Sequence, residues 1–423
     1  MNRWHTIAFA FVLLLTAVLG AALTLTRQEK APADERIFLT LSVGYNIQWM
    51  KPFQELCDRF SDRNPHIRAK VVGIPGQYYD KVLVMMAGRT APDLMWMGEG
   101  FAQFASRGAF LDVEDEFEFD PDDYYMQVIN CYRFDGRLKG FPFAGDLNFI
   151  ACNLDMFEAA GIDPPRDDWT LEDFRQTAKR LTKRDENGNV SCWGYLGILD
   201  AGAFGAYLLN DDMSRHRVDE PAWLDYFNFS LAMRDQDKSM PDQAHTQFGG
   251  MLTDRQQFLR GRVAMIQDNS YFLPQLRESI KDFRWDIVAM PRGVKSSCIA
   301  STQGFTIWKH TPHRKEAVQL LKFLVSPEAQ RALWDLGVPS HRPTTRQYVQ
   351  QLETPPQRRN VILQSMEFLN PAPRHARLYE LKRAQDDAAE RIFEHLVTPE
   401  TGMRQLALEL DKILNRKYVW EKR

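Results

Sequence analysis

Two carboxylates stand where an apolar stretch gives way to a turn or to a new element. Glu99 lies in PDLMWMGEGFAQFASRG, between an apolar run and a helical pattern, and Asp146 follows the glycine-rich stretch KGFPFAG. A carboxylate offers strong hydrogen-bond acceptors to a ligand. A carboxylate near a helix N-terminus is also stabilised by the helix dipole without any ligand. From these residues alone, ligand binding and helix capping explain Glu99 equally well.

The familiar catalytic and metal-binding motifs are absent from the sequence. There is no GxSxG, HExxH, P-loop or GxGxxG pattern, and the five cysteines form no CxxC pair. His310 and His313 form an HxxH pair in a proline-containing loop, where loop and capping roles are favoured. Cys57 shares a helical apolar face with Phe53, Leu56 and Phe60, which predicts a buried thiol. We therefore expect no enzyme activity, no metal and no cofactor.

Length, charge and the N-terminal sequence indicate the number of domains, the class of partner and the cellular compartment. A chain of 423 residues predicts two domains, and a net charge of -3 gives no electrostatic argument for binding nucleic acid. Residues 7–26 form an uncharged apolar run behind Arg3, which is typical of an export signal. The run is also long enough to span a bilayer. Residues 1–26 are thus predicted to be a signal peptide or a membrane anchor, with the remainder outside the cytoplasm.

Predicted strands and helices alternate through the first part of the exported chain. RIFLTLSVGY, IRAKVVGIPG and LMWM are typical of strands, and the last is apolar throughout, as in a parallel sheet covered on both faces. Amphipathic helices are predicted for MKPFQELCDRFSDRNP, YYDKVLVMMAGRTAPD and FAQFASRG. The alternation favours an open, doubly wound α/β domain. Ligands bind such domains beyond the carboxyl ends of the strands, where Glu99 is expected.

Later segments continue the mixture of strands and helices. WTLEDFRQTAKRL predicts a helix capped by Thr170, and Asn187-Gly188 predicts a hairpin turn. DFRWDIVAMPRG and ASTQGFTIWK are typical of strands. KEAVQLLKFLVSPEAQRALWDLG predicts two helices that break at Ser326-Pro327.

Six segments, in this order, make the sequence resemble the family 1 extracellular solute-binding proteins, the carbohydrate-type receptors of ABC importers that include maltose-binding protein. They are APDLMWMGEGFAQFASRGAFLDV, KGFPFAGDLNFIACNLDMFEAAGI, WTLEDFRQTAKRL, FLRGRVAMIQDNSYF, WDIVAMPRG and KEAVQLLKFLVSPEAQRALWDLGVPSHR. The resemblance implies a two-lobed α/β fold of the type II periplasmic-binding-protein class, with three crossovers and a ligand between the lobes. It places the N-terminal lobe at 37–142 and 299–338, and the C-terminal lobe at 143–298 and 339–423.

The resemblance also implies a set of ligand-binding residues. Glu99 matches a polar contact after the third strand, Asp146 an acid past the first crossover, and Tyr271 a position where relatives often stack a tryptophan on a sugar. Further candidates lie at strand ends, near the first and second crossovers, or on an aromatic loop: Tyr45, Asn46, Tyr78, Asn148, Phe204, Gln303 and Gly304. Tyr271 and Phe204 are also open to core packing, and Trp96 and Trp169 are assigned to packing.

The implied function is capture of a sugar and its delivery to the transmembrane subunits of an ABC permease, by a protein expected to be a monomer. Acceptor carboxylates and aromatic rings suit a neutral polyol, and they also suit a polyamine-like cation. Two other classes stay open. Glu99 and Asp146 could be the carboxylate pair of a glycoside-cleaving enzyme. An uncleaved N-terminal anchor would favour a membrane-tethered sugar sensor.

Overall fold

A computed structural model of the chain describes residues 36–44, 46–241, 254–371 and 374–416. The strands are β1 (Ile37–Gly44), β2 (Ile67–Ile74), β3 (Leu94–Met97), β4 (Arg133–Phe134), β5 (Arg137–Leu138), β6 (Phe141–Asn153), β7 (Lys183–Arg184), β8 (Val190–Leu196), β9 (Val263–Asn269), β10 (Trp285–Val288), β11 (Cys298–Ile307), β12 (Val338–Pro339) and β13 (Leu369–Pro371).

The α-helices are α1 (Ile47–Arg63), α2 (Tyr78–Ala87), α3 (Phe101–Ala105), α4 (Met126–Ile129), α5 (Leu154–Ala159), α6 (Leu171–Leu181), α7 (Pro221–Leu231), α8 (Asp254–Leu259), α9 (Leu273–Ser279), α10 (Arg314–Leu324), α11 (Pro327–Ala332), α12 (Arg342–Gln351), α13 (Asn360–Glu367), α14 (Leu378–Phe393) and α15 (Pro399–Leu414). The strands and helices predicted from the sequence are all present. The Thr170 capping box on α6 is also confirmed, and so is the break at Ser326-Pro327, where Ser326 caps α11.

The first three strands form the start of a mixed sheet. β1 pairs in parallel with β2 on one side and with β3 on the other, as the alternation with helices predicted. β11 then pairs with β3 in the antiparallel direction. The prediction of a parallel sheet is therefore confirmed for β1 to β3, and β11 adds an antiparallel strand beyond them. β11 reaches this position from a segment about 200 residues later in the chain, so no short strand–helix–strand unit imposes a parallel direction on it.

The long strand β6 joins the two halves of the molecule. Its first part pairs with β11 and β12, and its second part pairs with β9 and β10. The strand order β2-β1-β3-β11-β6-β9-β8-β7 consequently runs through β6 from one lobe into the other. The predicted lobe boundaries at 142/143, 298/299 and 338/339 fall within β6, β11 and β12, and as boundaries they stay a prediction.

Each lobe buries its own apolar core. In the first lobe, side chains of β1, α1, β3 and α10 form one cluster that includes Leu39, Phe53 and Leu321. In the second lobe, two clusters lie behind the far half of β6, one around Tyr195 and one around Ile287. The C-terminal helices α14 and α15 pack on the second lobe through residues such as Leu381 and Leu410.

The structure tests the prediction for Cys57 but not the prediction for the N-terminal segment. Cys57 is fully buried as predicted, and burial raises the pKa of its thiol to about 12. The other four cysteines are also buried, and all five are free thiols in the structure. Residues 1–26 lie outside the described part of the chain. Among the helices that the structure does describe, none is long and apolar enough to cross a membrane.

Candidate functional site

The carboxyl group of Asp146 lies buried among the strands that connect the two lobes. Asp146 Oδ2 accepts hydrogen bonds from Ser301 Oγ at 2.9 Å and from Gln303 Nε2 at 3.0 Å. Asp146 Oδ1 and Gln303 Oε1 are buried acceptors with no hydrogen-bond partner among the described residues. Burial raises the pKa of Asp146 to about 6, although the bonds from Gln303 and Ser301 oppose the rise. The floor between the lobes, formed by these strands, therefore holds two buried acceptor oxygens with unused hydrogen-bonding capacity.

Gly304 brings three strands close together at this floor. It pairs with Met97 of β3 and with Pro142 of β6, and the register of β11 against β6 shifts between Gln303 and Gly304. A Cβ atom at Gly304 would lie 2.6 Å from the Phe141 carbonyl oxygen and 2.6 Å from the ring of Tyr132. Only a residue without a side chain fits here, and the resulting bulge leaves Gln303 aimed at Asp146.

The turn that carries Glu99 packs against Tyr79. A Cβ atom at Gly100 would lie 2.7 Å from the Tyr79 ring, and the Tyr79 hydroxyl accepts a hydrogen bond from the Gly98 backbone N–H at 3.2 Å. The two glycines let the turn sit on the ring and leave the Glu99 side chain exposed. The N-cap of α3 is Gly100, without a side-chain capping hydrogen bond. Capping by a hydrogen bond therefore does not explain Glu99.

A continuous series of aromatic rings crosses between the lobes. Trp96 contacts Trp49 with ring centroids 5.0 Å apart, and it stacks on Tyr79 with centroids 6.2 Å apart and planes 12° from parallel. Trp49 continues to Tyr271 of the second lobe at 5.9 Å, and Tyr79 continues to Tyr379 of α14 at 6.4 Å. We call these five residues the aromatic wall. The indole N–H of Trp96 is buried and has no acceptor among the described residues.

Glu99 lies beside the Tyr79–Tyr379 end of the aromatic wall. Burial raises the pKa of the Tyr79 hydroxyl, and the negative charge of Glu99 adds to that effect. The pKa of Tyr379 is also raised, first by burial and then by the nearby Tyr79, Glu99 and Asp80. An exposed carboxylate and two phenol groups thus lie together at this end of the wall, next to the Trp96 ring, and they offer hydrogen-bond donors, acceptors and flat apolar surfaces.

The predicted site residues fall into two groups. Asp146 and Gln303 are in direct contact, Gly304 follows on the same strand, and Asn148 lies two residues beyond Asp146, paired with Asn269 of β9. Tyr271 belongs to the aromatic wall, and Glu99 lies beside the other end of the wall. The structure places Tyr78 and Phe204 in different surroundings.

Tyr78 and Phe204 each pack within their own lobe. The buried Tyr78 hydroxyl donates to the Trp96 carbonyl at 3.0 Å and forms a 3.0 Å bond with Ser42 Oγ. Half-buried Phe204 contacts the rings of Tyr226 and Phe229. Asn46 is exposed, and its carbonyl accepts the first backbone bonds of α1. Tyr45 lies outside the described residues. As ligand contacts, these four stay predictions.

Three residues of the aromatic wall were missed by sequence reasoning, and a fourth, Trp96, was assigned to packing and does pack against Trp49 and Tyr79. Trp49 and Tyr79 lie in the first turns of the helices that follow β1 and β2, so the strand-end rule that selected Asn46 and Tyr78 also covers them. Tyr379 has no comparable signal, because it meets Tyr79 only through folding of a segment 300 residues away. Trp169 packs as predicted, with its indole N–H bonded to the Ala289 carbonyl at 2.8 Å.

Metal chemistry gains no support from the described part of the chain. Within it, no group of three or more His, Cys, Asp and Glu side chains is arranged to hold a metal ion.

Comparison with known proteins identifies similar sequences and folds. A sequence model of a family described as bacterial extracellular solute-binding protein matches residues 44–331. An uncharacterized lipoprotein of Streptomyces antibioticus is 23% identical over 356 residues, which cover 80% of this chain and 77% of the relative.

Two solved structures share the whole two-lobed architecture. The ABC substrate-binding protein of Listeria monocytogenes in complex with cycloalternan is 21% identical, with a TM-score of 0.76 over 90% of this chain and 100% of that one. The cyclic α-maltosyl-1,6-maltose binding protein of Arthrobacter globiformis is 13% identical, with a TM-score of 0.77 over 90% and 99%. The two-lobed, type II periplasmic-binding-protein fold expected from the sequence is thereby confirmed.

Proposed function

This chain belongs to the family of bacterial extracellular solute-binding proteins, and we propose that it is the sugar-binding subunit of an ABC importer. It would capture a sugar or oligosaccharide between its lobes and deliver it to a membrane permease. The observation that carries the proposal is the aromatic wall, together with a floor where acceptor oxygens of Asp146 and Gln303 have no partner among the described residues.

The chemistry of the wall suits a carbohydrate. The C–H faces of a pyranose pack on flat aromatic rings, and its hydroxyls donate to acceptors such as Asp146 Oδ1 and Gln303 Oε1. The Trp96 indole N–H supplies a donor to the same region. The oligosaccharides named with the Listeria and Arthrobacter proteins support the same ligand class.

A polyamine-like cation is the second candidate. Its ammonium groups would pair with the exposed Glu99 and with Asp146, and aromatic faces attract cations. Asp146 argues against this candidate, because burial raises its pKa and disfavours the charged form that a cation needs.

A ligand screen tests the proposal directly. We expect a maltose, maltotriose, mannobiose or cyclic tetrasaccharide probe to raise the melting temperature and to bind in calorimetry, and spermidine to do neither. Ligand at 100 times its dissociation constant stabilises the native state by about 2.7 kcal/mol. Binding of spermidine alone would overturn the sugar assignment in favour of the cation. New reducing ends after incubation with the sugars would instead indicate an enzyme that uses Glu99 and Asp146.

Alanine at Tyr79 or at Tyr271 should weaken binding of the sugar found in that screen by roughly tenfold to a hundredfold. A stacked ring contributes about 1 kcal/mol beyond its buried area, and the area itself is lost as well. Tyr207→Ala is the matched control, because Tyr207 is also half-buried in the second lobe but lies outside the wall. Calorimetric titration and thermal melts should be run on all three variants. Unchanged affinity with a sharply lowered melting temperature would instead assign the two tyrosines to the core.

The lobes would close on the ligand about β6, β11 and β12, with lobe boundaries at 142/143, 298/299 and 338/339. The protein would act as a monomer beside the permease, without catalysis. The sensor alternative differs in its partner, so co-purification with a signalling protein in place of permease subunits would favour it.

Export is a separate prediction. The apolar run at 7–26 behind Arg3 should carry the remaining chain out of the cytoplasm. A reporter that is active only in the cytoplasm, fused after Arg36, should therefore be inactive, and the same fusion without residues 1–26 is the active control. Equal activity of the two fusions would contradict export. Mass spectrometry of the mature N-terminus separates a cleaved signal from a retained anchor.

A further inference from the structure

Trp49 and Tyr271 join the two lobes directly. The Trp49 indole N–H donates to the Tyr271 hydroxyl at 2.9 Å, and the two rings meet edge to face with centroids 5.9 Å apart. Trp49 lies in the first turn of α1, and Tyr271 lies in the short turn Ser270–Phe272 after β9. Neither residue belongs to the connecting strands β6, β11 and β12. The hydrogen bond therefore exists only while the lobes are close together.

The donor is held in place by its own lobe. The Trp49 ring packs against Phe53, a fully buried core residue, with centroids 6.4 Å apart, and against Trp96 at 5.0 Å. A ring that is already positioned loses little conformational freedom when it forms a new contact.

The acceptor is held in place in the same way. Asn269 Oδ1 accepts from the Tyr271 backbone N–H at 3.1 Å, and the Tyr271 ring packs on Phe272 with centroids 4.9 Å apart. The Arg255 guanidinium lies over Phe272 and forms two hydrogen bonds, of 2.8 and 2.6 Å, with Asp268. These bonds fix the turn that presents the Tyr271 hydroxyl to Trp49.

We propose that Trp49 and Tyr271 form a latch that holds the two lobes together in the absence of ligand. The latch goes beyond the proposed function, since it requires the two-lobed fold but no particular ligand. For a ligand that binds only the closed form, the apparent affinity is proportional to the fraction of ligand-free protein that is closed. If loss of the latch lowers that fraction, the affinity for every such ligand should fall by the same factor.

Distances between the lobes of the ligand-free, full-length protein test the latch. Val84 on α2 and Ile198 after β8 are 72% and 69% exposed, and cysteines there can carry a pair of fluorescent or spin labels. The five native cysteines are buried, so they compete poorly for labelling. We expect the wild type to be mainly closed. Tyr271→Phe and Trp49→Phe, which remove the acceptor and the donor, should each lower the closed-to-open ratio roughly two- to tenfold.

Because the latch is one hydrogen bond between two side chains, a double variant and a tryptophan outside the latch serve as controls. Trp49→Phe/Tyr271→Phe should open the protein no further than either single change, because both remove the same bond. Trp169→Phe also removes an indole hydrogen bond, but one that stays within the second lobe, so it should leave the distance distribution unchanged. A wild type that is already open, single variants that match it, or strictly additive effects would each overturn the latch. None of these measurements depends on whether a sugar binds, so the two proposals fail separately.

Discussion

Gly304→Ala should lower the free energy of unfolding by about 3 kcal/mol or more, at the upper end of the range for overpacked cores. The added methyl group would lie 2.6 Å from the Phe141 carbonyl oxygen and 2.6 Å from the ring of Tyr132. The first neighbour is backbone, and the second is a fully buried ring. Neither can move away without shifting β6 or the first-lobe core, so the strands themselves must separate.

Thermal and chemical denaturation measure this effect. A loss of about 3 kcal/mol corresponds to a fall in melting temperature of roughly 6–12 °C for a unit of roughly 150–250 residues, which is the size of one predicted lobe. Gly44→Ala is the matched control at the end of β1, since nothing lies within 4 Å of a Cβ atom built there. We expect Gly44→Ala to change stability by less than about 1 kcal/mol. Similar melting temperatures for the two variants would show that β11 and β6 can separate without cost.

Asp146→Asn should remove a pH dependence of stability that the wild type shows between about pH 4 and pH 6. The carboxyl has a pKa of 3.8 when exposed, and burial raises it to about 6 in the folded protein. Between these values the folded state binds more protons than the unfolded state, so the free energy of unfolding falls as pH rises. Above pH 6 the cost of the buried charge is complete, at about 3 kcal/mol for the full shift.

The difference between two stability profiles isolates Asp146 from other titrating groups. Wild type and Asp146→Asn should have similar stability at pH 4, and the variant should be the more stable protein at pH 7.5. Its amide keeps an oxygen for Ser301 and Gln303 and carries no charge. Urea denaturation at half-unit pH intervals gives both curves. Curves that stay parallel from pH 4 to 7.5 would rule out a raised pKa at this position.

Ligand binding should lower the pKa of Asp146, whereas burial raises it. A sugar hydroxyl that donates to Asp146 Oδ1 favours the ionised carboxyl, so affinity should increase from pH 5 to pH 7.5. The side-chain amide of the Asp146→Asn variant does not titrate, so the lower affinity of that variant should stay constant over this range. Calorimetry at the two pH values with the sugar identified by screening provides the comparison.

Local patterns in the sequence were sufficient for the elements and for much of the site. Alternation predicted β1, β2 and the helices that follow them, and Ser326-Pro327 predicted the break between α10 and α11. The strand-end rule and the family resemblance together selected Glu99, Asp146, Gln303 and Tyr271. In the structure Asp146 and Gln303 are in contact and Tyr271 meets Trp49, while their role as ligand contacts stays a prediction. These signals are local, because helix caps and strand alternation depend on residues a few positions apart.

Only the tertiary structure decided which aromatic residues meet between the lobes. Trp49 donates to a hydroxyl 222 residues away, and Tyr79 touches Tyr379 across 300 residues. Such contacts depend on how two separately packed cores are set against each other by β6, β11 and β12. The same long-range pairing makes β11 antiparallel to β3 and turns Gly304 into a point of close approach. The sequence by itself determined the elements and the chemical types at their ends. The wall and the latch followed from packing between lobes, because no short-range pattern carries the relative position of distant segments.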